Sequence, residues 1–92
     1  MVEGTWRLLS RAALRRADDE DGGGVVIDTF NATYCSCNDT AWTILQCLEK
    51  GATVQEITET VCRNFDVGEQ DAQDDVIGLV RKLQSMDLVN GE

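Results

Sequence analysis

The chain has 92 residues, 42% of them apolar, and carries a formal charge of −9 with neither histidine nor proline. That length suits one small domain that buries roughly 60 to 65% of its unfolded surface, with no room for a second. Without histidine the commonest general base, metal ligand and partner of a Ser or Cys nucleophile is missing, so catalysis and metal chemistry start poorly supported. No run of about 18 apolar residues and no signal-peptide core is present, and a soluble cytoplasmic protein is expected.

The charge is uneven. Residues 1–16 hold Arg7, Arg11, Arg15 and Arg16 against Glu3, which is +3, and residues 17–92 hold the other −12. An acidic body repels phosphate backbones and anionic bilayers, so neither nucleic acid nor a membrane is expected as a partner, whereas a neutral or basic peptide is tolerated.

In chain order, residues 1–11 read as an N-terminal arm and residues 12–90 as the folded domain. Ala13 to Arg16 reads as a first strand, and the charged, glycine-rich Asp18 to Gly24 as an exposed hairpin loop. Val25 to Asp28 is β-branched, turn residues surround Asn31, and Thr33 to Cys37 alternates as a half-buried strand does. Asn38 is placed to cap a helix whose Ala41, Ile44, Leu45 and Leu48 recur at helical spacing until Gly51. Thr53 and Glu56 form a capping box for a second helix with Val54, Ile57, Val61 and Phe65 on its buried face. The acidic run Glu69, Asp71, Asp74 and Asp75 opens a third helix with a core stripe of Ala72, Val76, Leu79, Val80, Leu83 and Met86, before Leu88 and Val89 close the domain. The order predicts an α+β fold, a winged helix-turn-helix-like arrangement of a three-stranded antiparallel sheet followed by three helices.

Four cysteines at 35, 37, 47 and 62 contain one short pair and no second knuckle, so no metal site is expected, and no disulfide in this compartment. Cys35 and Cys37 have no histidine, lysine or arginine near them in sequence to lower a thiol pKa, which leaves no catalytic residue to name. A winged helix also suggests DNA binding, but the start of the third helix would meet phosphates with like charge. The alternative kept is a winged-helix DNA-binding regulator with a cysteine metal or redox switch.

Several stretches together form a recognisable pattern: TYCSC (residues 33–37), then Asn38-Asp39 leading into TAW-x-IL-x-x-L-x-x-G, then TV-x-E-I with Phe65-Asp66, then DV-x-x-LV-x-x-L ending in DLV. In these the chain resembles the PqqD-like family over residues 12–90, with Cys37 standing where family members usually have leucine. The resemblance implies a peptide-recognition element without catalytic activity or cofactor. Such an element binds the leader segment of a ribosomally made precursor peptide and presents it to modifying enzymes. The separate chain and glycine-rich loop are most similar to the discrete recognition proteins of lasso-peptide pathways, whose partners are a leader peptidase and a cyclase.

The resemblance further implies that the leader adds as a strand to the edge of the third strand, here Thr33, Tyr34, Cys35, Ser36 and Cys37, and lies against the third helix. Main-chain groups supply the affinity. On the helix, Ile77, Arg81 and Gln84 form a stripe beside the core stripe that packing does not require, and with Asp74 at its start they are the expected helical wall.

Overall fold

The computed structural model describes residues 4–16 and 23–91. Residues 18–22 of the expected acidic loop lie outside the described residues.

Asp28 sits at the centre of the local chemistry that shapes the first sheet. Strand β2, Ala12–Arg16, pairs antiparallel with β3, Gly24–Asp28, which pairs antiparallel with β4, Thr33–Cys37. The turn from β3 to β4 is held by the Asp28 carboxylate, whose Oδ1 accepts the main-chain N–H groups of Phe30 and Asn31 at 3.0 and 3.2 Å while Oδ2 accepts the Asn31 side-chain amide at 2.7 Å. A carboxylate that mimics a turn in this way fixes the register of the strand that follows.

The helices form where their caps predict. The Asn38 side chain accepts from Ala41 N at 2.9 Å to start α1, Asp39–Lys50, and the Gly51 N–H closes it onto the Cys47 and Leu48 carbonyls at a positive φ of 89°. Thr53 and Glu56 make the reciprocal capping box of α2, Val54–Asn64. The third helix, α3, Glu69–Ser85, begins at Gly68 without a side-chain cap, with Glu69 and Asp71 in its first turn. Ile44, Leu45, Leu48, Ile57, Val61, Ala72, Val76, Val80, Leu83 and Leu88 are fully buried where these helices meet, and Val26 joins them from β3. No helix among the described residues is long and apolar enough to cross a membrane.

A second sheet is the main departure from expectation. Within the segment expected as an arm, Thr5–Leu8 is strand β1, which pairs antiparallel with β5, Ala52–Thr53, on one side and with β6, Val89–Gly91, on the other. Trp6 is buried beneath this sheet. Among the described residues the fold is therefore mixed α+β with two three-stranded antiparallel sheets and three helices, rather than one sheet followed by helices. The extra strands are two to four residues long, too short to display period-two alternation, and the partners of β1 lie more than forty residues away in sequence.

Candidate functional site

Strand order in the first sheet is β2-β3-β4, so among the described residues β4 is paired on one side only. Its other edge presents alternate N–H and C=O groups with no partner in the sheet, the arrangement that accepts an added strand. Cys35 and Cys37 stand opposite Val26 and Gly24 and point to the core side, where both are half-buried. Tyr34 and Ser36 project from the other face, and Tyr34 is 71% exposed. The Cys37 thiol donates to the Gly24 carbonyl at 3.1 Å. Burial pushes this thiol up, helped by the neighbouring Cys35 and opposed by the Gly24 contact. All four cysteines are unpaired.

On the helical side, the cavity at the end of β4 is lined by residues other than the expected stripe. This cavity of about 200 Å3 lies where β4 runs into α1, lined by Asn38, Thr40, Ala41 and Ile44 on one side and by Asp75 and Leu79 of α3 on the other. None of Asp74, Ile77, Arg81 and Gln84 reaches it. At about 100° per residue, Ile77 is about 200° around α3 from Leu79, on the opposite flank of the buried stripe. Asp74, Arg81 and Gln84 are exposed, Asp74 accepting from Gln70 Nε2 at 3.0 Å, while Ile77 is half-buried against the core. A core stripe has two flanks, and periodicity alone does not tell which of them faces the sheet. Ile77 favours one flank because it is apolar, but Leu79, which the pattern absorbs into the core stripe, is half-buried and lines the cavity.

A larger open hollow of about 540 Å3 between α1 and α2 includes Arg16, Asp39, Cys47, Asn64 and Phe65 but no residue of β4.

The far end of β4 is organised by Arg11, a residue that sequence patterning passes over. Its Nε lies 3.8 Å from Asp28 Oδ1, its Nη2 donates to the Asp87 carbonyl just beyond α3, and its guanidinium covers the Phe30 ring at 5.7 Å from the centroid. The Asp28 carboxyl is held below its ordinary value, first by the Asn31 side-chain amide and then by the Asn31 and Phe30 N–H groups and the Arg11 charge, against the opposing effect of burial. Asn38 at one end of β4 thus faces Asp75, and Asp28, opposite Thr33 at the other end, is joined to Asp87. These two links set the start of α3 toward the Asn38 end of β4 and the end of α3 toward its Thr33 end, leaving the space between them as a candidate trough. The eleven helical residues from Asp75 to Ser85 rise about 16 Å, and the five residues of β4 about 17 Å, so the two segments are of similar length.

With this geometry in view, residues 23–89 match the family model described as coenzyme PQQ synthesis protein D, PqqD, and the chain belongs to that family. Among solved structures it is similar to TbiB1 in complex with the TbiA(beta) leader peptide, at 21% identity and a TM-score of 0.75, with 94% of this chain and 96% of that one covered. It is also similar to a lasso peptide synthetase B1 complexed with the leader peptide, at 26% identity and a TM-score of 0.73, covering 92% and 96%. No curated protein matches it.

Proposed function

We propose that this protein is a non-catalytic recognition element that captures the leader segment of a ribosomally synthesised precursor peptide and presents it to a leader peptidase, a cyclase or another modifying enzyme in the cytoplasm. The observation that carries the proposal is the unpaired edge of β4 in a chain of the PqqD family. A leader strand on this edge gains main-chain hydrogen bonds along Thr33, Tyr34, Cys35, Ser36 and Cys37, and places alternate side chains in the trough toward Asp75 and Leu79. Residues 12–90 form the recognition unit, in which β2, β3 and β4 act with α2 and α3 as a winged-helix-like frame and β1 braces it from beneath. The likeness to the lasso peptide synthetase B1 complexed with the leader peptide supports a lasso-type precursor as ligand. DNA binding is disfavoured by the acidic start of α3, where Glu69, Asp71, Asp74 and Asp75 face solvent.

The two flanks of α3 make different predictions for this proposal. Fluorescence anisotropy with a labelled synthetic leader is expected to give saturable binding. Leu79→Ala then weakens it by about tenfold, the effect of losing roughly 1.4 kcal/mol of apolar contact, and Ile77→Ala leaves it within about twofold. The reverse ranking moves the helical wall to the Asp74, Ile77, Arg81 and Gln84 stripe, and absence of binding by the unaltered protein rejects the function.

A further inference from the structure

We infer that Arg11 is a positioning residue for peptide capture, a strut that sets the separation between β4 and α3 and so keeps the trough open to an added strand; this rests on the leader-binding function proposed above. Three independent contacts meet at its guanidinium. Toward the sheet, Nε faces the buried carboxylate of Asp28, the residue whose side chain builds the turn into β4. Toward the helix, Nη2 donates to the carbonyl of Asp87, which closes α3 in a left-handed conformation at φ 57°. Over its face lies Phe30, otherwise 79% exposed. The main chain follows the same route, because Leu9 N donates to the Leu88 carbonyl at 2.8 Å and Thr29 N to the Arg11 carbonyl at 3.0 Å.

At the other end of β4 the cavity by Asn38 is closed by α1 and α3, whereas at this end the side-chain link from the sheet to the end of α3 runs through Arg11, from Asp28 to Asp87. A guanidinium suits that position because it is planar, always charged, and presents donors in diverging directions that can serve a carboxylate and a carbonyl together. A lysine ammonium in the same place neutralises Asp28 but has no rigid fork with which to hold the helix end as well. Burial leaves Nε without a hydrogen-bond partner of its own, a cost that is reasonable for a residue fixed by its neighbours on both sides rather than by either one.

This difference between charge and reach supplies the test. A fluorescein-labelled synthetic leader from a candidate lasso-type precursor, sought among the neighbouring genes, is titrated into the wild type, Arg11→Lys, Arg11→Ala and, as a destabilised control in α2, Val54→Ala. Melting temperature and the amide spectrum of each free protein are recorded in parallel. The strut predicts that Arg11→Lys stays folded and close to the wild type in melting temperature, shifts the amide signals of Thr33–Cys37 and of Asp87 and Leu88 before peptide is added, and binds about tenfold more weakly. Val54→Ala melts lower and binds within about twofold of the wild type. Arg11→Lys binding as the wild type does, or affinity that simply follows melting temperature across the four proteins, overturns the inference. A wild type that does not bind the peptide rejects leader binding itself, and the inference with it.

Discussion

The Trp42 indole packs against Gly24, so near that a Cβ on residue 24 would stand 2.6 Å from two ring carbons and 2.4 Å from the Arg15 carbonyl oxygen. Neither neighbour is the free end of a flexible chain, so the sheet or the indole would have to move. Gly24→Ala is expected to destabilise the protein by about 1–3 kcal/mol, the usual cost of overpacking, measured by urea denaturation. An unchanged midpoint would show that the ring is free to swing away.

This contact also shows where sequence reasoning stops. The run of three glycines suggests an exposed loop, and its acidic part gives no reason to doubt that, yet Gly23 and Gly24 are buried. They are glycine because Gly23 has a φ of 76° with the Cys37 carbonyl in the way of any Cβ, and because Trp42 needs the surface of Gly24. Both demands come from residues that are remote until the sheet has formed. Strand β4, the caps at Asn38 and Thr53 and the helical core stripes were legible because each is encoded within a few neighbouring residues. The Trp6 strand and the contacts of Arg11 were not, since both depend on partners far along the chain, and which flank of α3 lines the cavity by Asn38 is a tertiary outcome that helical periodicity does not encode.

Asp28 makes stability depend on acidity. Its carboxyl titrates below its ordinary value in the folded protein, so its contribution is complete above the unfolded-state pKa of about 3.9 and is lost as pH falls through the lower folded-state value. Chemical denaturation between pH 6 and about pH 2.5 should show a loss of stability at the acid end that Asp28→Asn lacks in part, with the variant less stable at pH 6. Parallel curves for the two proteins would mean that the carboxylate gains nothing from Asn31, Phe30 and Arg11.

Gly78 offers a change of opposite sign. It lies in the interior of α3, is exposed, and has no atom within 4 Å of where a Cβ would stand. Gly78→Ala is expected to raise stability by about 0.5–1 kcal/mol through helix propensity and a less flexible unfolded chain. Residue 78 does not line the cavity by Leu79, so peptide affinity should change little, and a large loss of affinity would place the leader over residue 78.

The cysteines of β4 are expected to act as apolar side chains. With its thiol pushed up by burial, Cys37 should react with iodoacetamide at about pH 8 more slowly than an unstructured thiol, read by mass spectrometry of the tryptic peptide. Replacing Cys35 and Cys37 together by valine should leave leader binding largely intact, since the main chain of the strand makes the contact. Loss of binding together with loss of a bound metal would instead favour a sulfur-based function.

Hydrogen exchange of the main-chain amides with and without a synthetic leader tests the central claim most directly. Strand addition predicts that edge-facing amides within Thr33–Cys37 become protected by at least about tenfold on binding, while the amides of β1 and β6 exchange as before. Saturable leader binding that leaves the exchange of Thr33–Cys37 unchanged would contradict the account, because the peptide would then be held somewhere other than the open edge of β4.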